Sequence, residues 1–406
     1  MARRALILCV IVLGCRPAQQ SGDHDPTLIL ISIDGFRADY LDRFEVPNLR
    51  TLAEEGVYAP EGMTPVFPTK TFPNHYTIAT GLYPARHGIV ANTMYDSERD
   101  AWFRISDRDA VEDPYWWEGE PIWVTAELQG QVSATYFWVG SEAPVKGIRP
   151  TYWFRHDASV PGEARVDQVL QWLDLPKADR PTVITLYFSD VDTRGHLEGP
   201  ASRDLEAAVE ATDRHLGRLL AGLRQRGLTD VANLVIVSDH GMEPTDRGKV
   251  VYLEDYLPQG LGQIVEYSPV LAINPHPGRE TQVRESLARM PGADVLSTED
   301  LQAYHYSGHR RIPGVLAQAR PGWTIYSTRE FHQRSGGPNP GDHGYAPGTP
   351  GMQAVFVARG PAFRERTTVA SFEAVHLYNA LAATVGLTPA PNDGDIDVAE
   401  SILRQP

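Results

Sequence analysis

The sequence predicts an α/β fold in which a mostly parallel central sheet is flanked by helices. Three short apolar runs, rich in β-branched residues and without clean alternation, are typical of strands buried on both faces of such a sheet. Helical patterns lie between these runs, which favours strand–helix–strand units. The runs are Thr27–Ile33, Thr182–Phe188 and Asn233–Val237.

Five further segments have clear secondary-structure signals. The strongest helix is predicted over Ser202–Arg226, where leucines and a valine recur near the helical period and Gly227 follows as a stop. Shorter helices are predicted over Val46–Glu55, Val166–Leu173 and Phe372–Val385, and a strand over Gln353–Ala358.

Two regions interrupt the alternation of strands and helices. The stretch Asp96–Trp123 is rich in Trp, Asp and Glu and predicts a surface excursion beside a site. Residues 246–330 predict an inserted subdomain or lid, with a strand–helix–strand piece at Val270–Asn274, Glu280–Arg289 and Ala293–Leu296. Residues 27–245 and 331–406 are then assigned to the main domain.

The first fifteen residues have the layout of a signal peptide. Two arginines precede an apolar run that is too short to span a bilayer. Val12–Cys15 resembles a bacterial lipobox, in which Cys15 would carry a lipid anchor, and residues 16–26 would form a polar tether. We therefore expect an exported protein, periplasmic or lipid-anchored in the bacterial cell envelope. Both cysteines lie in this segment, so no disulfide is expected in the mature domain.

The acidic composition limits the partners of the protein. A formal net charge of -15 argues against a nucleic-acid polymer or an anionic membrane as the main electrostatic partner. The membrane would be reached only through an anchor at Cys15. A small anionic substrate remains compatible with this charge if bound cations reverse the local potential.

Carboxylates and histidines follow the three predicted strands and one later loop. Ligands of open α/β sheets gather at the carboxyl ends of the strands, so these side chains are expected to meet there. Mixed Asp and His donors suit zinc better than calcium or magnesium, and six ligands are enough for two ions. A two-metal site of this kind suits in-line displacement at phosphorus. The six residues are Asp34, Asp192, His196, Asp239, His240 and His343.

A hydroxyl group is available next to this cluster in the run Phe67–Tyr76. Pro73 suits the first position of a short helix that would extend to Gly81, and a threonine just before it could cap that helix. The positive end of a helix lowers the pKa of a nearby hydroxyl and favours an anion such as phosphate. The pattern leaves Thr69 and Thr71 as alternatives. Asn92, a neutral amide downstream, could donate to a phosphoryl oxygen that gains charge in the transition state.

Several of these motifs together resemble the nucleotide pyrophosphatase/phosphodiesterase family of the alkaline phosphatase superfamily. The resemblance extends from about Leu28 to the C-terminal helix. The motifs are IDGFR at Ile33–Arg37, PTKTFPNHY at Pro68–Tyr76, TGLYPxxHGI at Thr80–Ile89, GEPIWVTA at Gly119–Ala126, DxxxH at Asp192–His196, VSDHGM at Val237–Met242 and DHGY at Asp342–Tyr345.

This resemblance implies an alkaline-phosphatase-like catalytic domain, two Zn²⁺ ions and a phosphothreonine intermediate. By position in the motif, Thr71 rather than Thr69 matches the nucleophile of the family. One ion would be held by Asp192, His196 and His343, and the other by Asp34, Asp239, His240 and the Thr71 oxygen; other divalent ions could replace zinc. Asn92 matches a phosphate-oxygen donor, and Phe72 and Trp138 match positions of a pocket for the nucleotide base.

One departure concerns the base pocket. Many members of the family place a tyrosine opposite the residue matched by Phe72, whereas this chain offers His156 in RHDASVP. An imidazole stacks more weakly than a phenol ring. The expected activity is metal-dependent hydrolysis of a phosphodiester or pyrophosphate, with release of a nucleoside 5'-monophosphate.

Alternative functions remain open at this point. A lipid-head-group or choline phosphodiesterase could use the same scaffold, and a catalytically inactive nucleotide-binding lipoprotein is the alternative from another class. A phosphomonoesterase is disfavoured because no arginine lies near Thr71 in the sequence to bind a dianion. A sulfatase of the cysteine type is disfavoured because the mature domain has no cysteine.

Overall fold

The computed structural model describes residues 25–333 and 337–405. The predicted signal peptide, the lipid anchor at Cys15 and most of the predicted tether lie outside these residues. The strands are β1 Thr27–Ile33, β2 Val57–Tyr58, β3 Thr93–Asp96, β4 Ala101–Arg104, β5 Ser133–Tyr136, β6 Tyr152–Trp153, β7 Val183–Phe188, β8 Ala232–Val237, β9 Glu243–Pro244, β10 Val250–Tyr252, β11 Gly262–Glu266, β12 Val270–Pro275, β13 Ala293–Val295, β14 Val315–Ala319, β15 Thr324–Tyr326, β16 Gly341–Asp342, β17 Phe356–Arg359 and β18 Thr367–Thr368.

The helices are α1 Tyr40–Arg43, α2 Pro47–Glu55, α3 Thr71–Thr80, α4 Pro84–His87, α5 Arg108–Glu112, α6 Ile122–Leu128, α7 Gly162–Leu173, α8 Asp190–Glu198, α9 Arg203–Gln225, α10 Glu280–Leu287, α11 Thr298–Ala303, α12 Thr328–Gln333, α13 Leu377–Thr384 and α14 Ile396–Ile402. Short 3-10 turns occur at Pro114–Trp116, Leu253–Asp255, Pro350–Met352 and Ala374–His376. Within the described part of the chain, none of the helices combines the length and the apolar character that a bilayer crossing needs.

The predicted α/β fold with a mostly parallel central sheet is confirmed. Eight strands form this sheet in the order β18-β2-β17-β8-β1-β7-β5-β6. The central strand β1 pairs in parallel with β7 on one side and with β8 on the other. The three predicted strands are therefore direct neighbours, and their carboxyl ends lie at one edge of the sheet.

The sheet is buried on both faces, as its apolar runs predict. Alternate residues of β1 enter different cores: Leu28 and Leu30 pack on one face, with α3, α6 and α13. Ile29 and Ile31 pack on the other face, with α2, α7 and α9. Each fully buried aliphatic side chain contributes about 1.5–3 kcal/mol, so the central strands are fixed in position. This rigid sheet supports the loops at its carboxyl edge.

Helix α9 illustrates how closely a strong sequence signal matches the structure. It spans Arg203–Gln225 within the predicted range, and the side chain of Ser202 caps it by accepting the backbone N–H of Leu205. The late helix is shorter than predicted, because its first turn is a 3-10 turn at Ala374–His376.

The segment 246–330 builds a sheet of its own, beyond the predicted strand–helix–strand piece. Strands β11, β12, β14 and β13 are antiparallel in this order, and α10 packs on them through Val283 and Leu287. The segment is also fastened to the rest of the protein. Arg311 is buried and binds Asp96, and Lys70 lies 2.6 Å from Glu266.

The predicted surface excursion at Asp96–Trp123 was wrong in one respect. Three of its four tryptophans are not at the surface: Trp116, Trp117 and Trp123 are buried in the core that α3 also joins, whereas Trp102 is partly buried. The polar residues between them made the stretch look exposed, although its aromatic side chains face inward. The stretch nevertheless lies beside the site, because Ile105 and Arg108 line a cavity there.

Candidate active site

Two acidic residues and a histidine converge directly from the strand ends. Asp34 follows β1, and Asp239 and His240 follow β8. All three side chains are buried. The Nε2 atom of His240 lies 3.4 Å from Asp34 Oδ1 and 3.0 Å from Asp239 Oδ2. These three residues form one group that could hold a metal ion.

Asp192 and His196 reach the same edge from a helix. They follow β7 as expected, but they lie on a helix, because the chain after β7 turns at once into α8, Asp190–Glu198. Residues four apart on a helix face the same side, and His196 Nε2 lies 3.4 Å from Asp192 Oδ1. His343 Nε2 lies 3.8 Å from that same oxygen. The structure thus brings together Asp192, His196 and His343, the second predicted set of metal ligands.

The histidine rings are held with Nε2 facing this cluster. The Nδ1 atoms of His196, His240 and His343 lie 3.0, 2.8 and 3.0 Å from backbone carbonyl oxygens. A hydrogen bond from Nδ1–H leaves Nε2 with a free lone pair, which is the form that binds a metal. The rings of His240 and His343 stack at 3.5 Å between centroids. All three imidazoles are therefore oriented as ligands.

The carboxylates carry the clearest sign that a cation belongs here. Asp34 Oδ1, Asp192 Oδ1 and Asp239 Oδ2 are buried and have no hydrogen-bond partner among the described residues. An unpaired buried carboxylate oxygen is costly. Three of them beside three oriented imidazoles fit divalent ions well, and the mixed donor set suits zinc.

The electrostatics of the cluster agree with this view. Burial, and then the charges of Asp239 and Asp192, raise the pKa of Asp34 well above its ordinary value. Burial opposes ionisation of Asp239 as well, but His240 and His75 hold the pKa of Asp239 well below the usual range. Burial and the neighbouring His240 and His196 lower the pKa of His343. A bound cation would relieve the repulsion between the carboxylates.

The hydroxyl of Thr71 reaches this cluster, whereas that of Thr69 does not. Thr71 Oγ1 lies 3.2 Å from His240 Nε2. Thr69 is fully buried, donates to the carbonyl of Tyr345 and accepts the backbone N–H of Gly344. The structure therefore separates the two threonines that the sequence pattern left as alternatives.

The predicted capping of α3 was wrong. The helix begins at Thr71 itself, its N-cap is Lys70 in an extended conformation, and Pro73 is the third helical residue. No side chain caps this end. The hydroxyl of Thr71 is therefore not used to close the helix and stays available at its positive end.

His75, one turn further along α3, contacts the group formed by Asp34, Asp239 and His240 through Asp239. It is buried, its Nε2 lies 2.8 Å from Ser32 Oγ, and its Nδ1 lies 2.9 Å from the carbonyl oxygen of Thr71. The same Nδ1 is 3.2 Å from Asp239 Oδ2. His75 thus links the end of β1, the start of α3 and a carboxylate of the cluster.

Three of the four predicted substrate residues, Phe72, Trp138 and His156, line a small cavity that opens beside Thr71, hereafter the apolar cavity. Its volume is about 220 Å³. Trp138 is buried, and its Nε1 donates to the carbonyl of His75. His156 rests against Phe137 at 5.1 Å between ring centroids. The lining includes Asp34, Thr71, Phe72, Ile105, Arg108, Val111, Phe137, Trp138, Val139, Gly140, Glu142, His156, Tyr187 and Asp192.

A second, larger cavity of about 500 Å³ lies on the histidine side of the cluster, and we call it the polar cavity. Asn92 belongs to its wall, and the side-chain oxygen of Asn92 accepts the backbone N–H of Phe72 at 3.0 Å, which fixes its orientation. The lining consists of Lys70, Asn92, Thr93, Trp102, Arg104, His196, Ile264, Val265, Glu266, Tyr267, Ser268, Tyr326, Asn339, Asp342 and His343.

Sequence reasoning missed several groups at this site. Asp342 joins His196 and His343 in a third group with metal-binding geometry. Its signal was present, because Asp342-His343 repeats the Asp239-His240 pair. Tyr187 donates to Asp34 Oδ2 at 2.6 Å, and no sequence pattern marked it.

Comparison with known proteins connects this geometry to a family. Residues 28–346 match the model of the type I phosphodiesterase/nucleotide pyrophosphatase family. A venom phosphodiesterase of Crotalus durissus collilineatus is 40% identical over 399 residues, which are 95% of this chain and 47% of that protein. Ectonucleotide pyrophosphatase/phosphodiesterase family member 3 of Mus musculus is 37% identical over 394 residues, 94% of this chain and 44% of that protein. The chain thus spans about half the length of these relatives.

Solved structures of relatives share the fold over 93% of this chain. Murine ectonucleotide pyrophosphatase/phosphodiesterase 5 superposes with a TM-score of 0.86 at 32% identity, covering 93% of this chain and 100% of that one. An inactive threonine-to-alanine variant of the same murine protein, in complex with AMP, superposes with the same TM-score, identity and coverage. The alkaline-phosphatase-like fold is thereby confirmed. This chain belongs to the type I phosphodiesterase/nucleotide pyrophosphatase family.

Proposed function

We propose that the protein hydrolyses phosphodiester or pyrophosphate bonds of nucleotides and releases a nucleoside 5'-monophosphate. The observation that carries this proposal is the juxtaposition of the Thr71 hydroxyl with two groups of Asp and His ligands. The AMP complex of the murine relative supports a nucleotide as the substrate. In this scheme residues 27–245 and 331–406 form the catalytic domain and 246–330 the inserted subdomain.

Two ions, with zinc favoured by the donor set, fit the cluster. Asp192, His196 and His343 would hold one ion, and Asp34, Asp239, His240 and the Thr71 oxygen the other. Such ions, when bound, lower the pKa of a coordinated hydroxyl and neutralise the charged oxygens of a phosphoryl group.

The residues of the chain then carry the chemistry in two displacements. Thr71 Oγ attacks phosphorus, the Oγ–P bond forms, and the bond to the leaving oxygen breaks on the opposite side. The amide of Asn92 donates to a phosphoryl oxygen as its charge increases. Water then attacks the phosphothreonine: its oxygen forms a new bond to phosphorus, the Oγ–P bond breaks, and a proton of the water returns to Thr71 Oγ as the monoester leaves.

The apolar cavity suits the base of the nucleotide whose phosphoryl group becomes bonded to Thr71. Phe72 and His156 both line it, and Trp138 closes its inner end. Arg108 also lines this cavity, where it forms an ion pair with Glu142. The AMP complex of the murine relative supports a nucleoside rather than a choline head group as the retained half of the substrate.

Thr71→Ala tests the nucleophile, with Thr71→Ser as the matched control that keeps a hydroxyl. Loss of a catalytic nucleophile typically removes at least about a thousandfold of kcat. We expect this loss for Thr71→Ala with the p-nitrophenyl ester of thymidine 5'-monophosphate, while Thr71→Ser retains measurable turnover. Wild-type turnover by Thr71→Ala would refute the assignment.

A comparison of substrates with zinc present tests the reaction class. We expect the nucleotide diester to be preferred over glycerophosphocholine and over p-nitrophenyl phosphate. A preference for the monoester would overturn the proposal, and a preference for glycerophosphocholine would favour the head-group alternative. A protein that only binds nucleotides would show no hydrolysis for EDTA to remove or zinc to restore.

A further inference from the structure

We propose that the polar cavity binds the leaving half of the substrate and that Trp102 and Arg104 form a subsite for an aromatic base carried by that half. This inference rests on the proposed hydrolysis at Thr71. It concerns a part of the substrate that makes no contact with the apolar cavity.

The two cavities have separate linings that share no residue. Thr71 and Phe72 line the apolar cavity, whereas His196 and His343 line the polar cavity. An in-line displacement expels the leaving group on the side opposite the attacking oxygen. With Thr71 attacking from the apolar side, the leaving group is directed toward His196 and His343, and hence into the polar cavity.

One face of the β3–β4 ribbon forms a wall of this cavity. Thr93 pairs with Arg104, and Tyr95 pairs with Trp102, so the four side chains share one face of the ribbon. Their neighbours Met94 and Phe103 point into the core. The wall therefore presents polar and aromatic groups while the opposite face anchors the ribbon.

Trp102 and Arg104 are arranged to bind a planar ring and an anion together. The guanidinium carbon of Arg104 lies 4.7 Å from the centroid of the Trp102 ring. Nucleobases stack on aromatic rings and on guanidinium planes alike. Lys70, the neighbouring cation, is already paired with Glu266 at 2.6 Å. Arg104 is thus better placed than Lys70 to pair with the phosphates of a leaving group.

The size of the cavity fits a large leaving group. Its volume of about 500 Å³ is within the range of pockets that enclose whole small-molecule ligands. The opposite wall comes from the inserted segment, with Ile264, Tyr267 and Ser268. A nucleoside on a short phosphate chain has the dimensions and the chemistry that these walls match.

The test compares two substrates that leave the same AMP on Thr71. ATP releases pyrophosphate, whereas diadenosine tetraphosphate releases ATP and therefore adds a second base. Base stacking commonly changes affinity by about tenfold or more on removal of the aromatic side chain. For the zinc-loaded protein we expect Trp102→Ala to lower kcat/KM for diadenosine tetraphosphate about tenfold and that for ATP less than about twofold.

Three further variants make the result unambiguous. Trp102→Phe should restore most of the loss, and Arg104→Ala should lower kcat/KM for both substrates through lost phosphate contact. Trp153→Ala is the matched control. The guanidinium carbon of Arg149 lies 5.0 Å from the centroid of the Trp153 ring, but Trp153 lines neither cavity. It should change neither value.

Two outcomes would overturn the inference: Trp102→Ala affecting neither substrate, or affecting both equally. Failure of the proposed function would look different, since the wild-type protein would then hydrolyse neither ATP nor diadenosine tetraphosphate.

Discussion

Replacement of Arg311 by methionine should destabilise the protein strongly, because this side chain fastens the segment 246–330 to the rest of the protein. Its guanidinium is fully buried and donates to Asp96 at 2.7 Å. It also donates to the carbonyl oxygens of Gly88 at 2.9 Å, Trp116 at 2.8 Å and Tyr115 at 3.1 Å. Methionine keeps most of the volume but none of these bonds.

The magnitude follows from the loss of a buried charged partner. Removal of one member of a buried ion pair costs about 3–5 kcal/mol. With an unfolding entropy of about 2.1 cal/mol/K per residue over about 380 described residues, this corresponds to a fall in Tm of roughly 4–6 °C. Burial raises the pKa of Asp96, but hydrogen bonds from Arg311 and Tyr115 lower it to about 2, so Asp96 remains charged at neutral pH.

Arg310→Met is the control for this experiment. Arg310 binds the same Asp96 oxygen at 2.9 Å, but its side chain is 29% exposed and it shares other acidic partners. Exposed pairs contribute about 0.2–1 kcal/mol, so this variant should lower Tm by about 1 °C or less. The measurement is differential scanning calorimetry of both variants beside the wild type. Equal effects of Arg310→Met and Arg311→Met would refute the reasoning, as would an unchanged Tm for Arg311→Met.

Three other predictions address the ligands, the base pocket and the metal. His75→Ala should weaken zinc binding about 10- to 100-fold, because His75 contacts Asp239 and the carbonyl oxygen of Thr71 at the start of α3. A competition titration with a chelator measures this affinity. An unchanged affinity would exclude a positioning role for His75. His156→Tyr should lower KM for a nucleotide ester about fivefold with kcat unchanged, since a phenol ring stacks better than an imidazole; steady-state kinetics would contradict this if KM rose. Removal of zinc by EDTA should lower Tm by an amount that grows as the pH rises. Burial and the neighbouring carboxylates raise the pKa of Asp34, so the ionisation of Asp34 destabilises the metal-free protein as the pH rises. A bound metal relieves this repulsion, so the stabilisation by the metal increases with pH. A difference in Tm independent of pH between pH 5 and 8, followed by scanning calorimetry, would argue against it.

The elements that the sequence predicts well are those with strong local signals. Runs such as Thr27–Ile33 are apolar and bounded by turns, and the direction of β1 and β8 places Asp34 and Asp239 at the sheet edge. Helix α9 carries both its period and its cap in the sequence. The candidate ligands could therefore be named before any side chain was placed.

The remaining features depend on contacts between distant segments. Nothing local shows that Trp116 and Trp117 are buried, since their neighbours are charged. The choice between Thr69 and Thr71 depends on the contact of Thr71 with His240, which is 169 residues away. The short strand Val315–Ala319 pairs on both sides within the inserted segment, and only this pairing reveals it as the centre of a second sheet.

The order of the central strands has a consequence for how the protein folds. β1 pairs with β7 and β8, and the paired residues Leu28, Val183 and Asn233 are far apart along the chain. Contacts of such high sequence separation form slowly, because long loops must close first. Asp34 and Asp239 can meet only after these strands have paired. Zinc uptake during refolding should therefore lag behind helix formation and report on completion of the sheet.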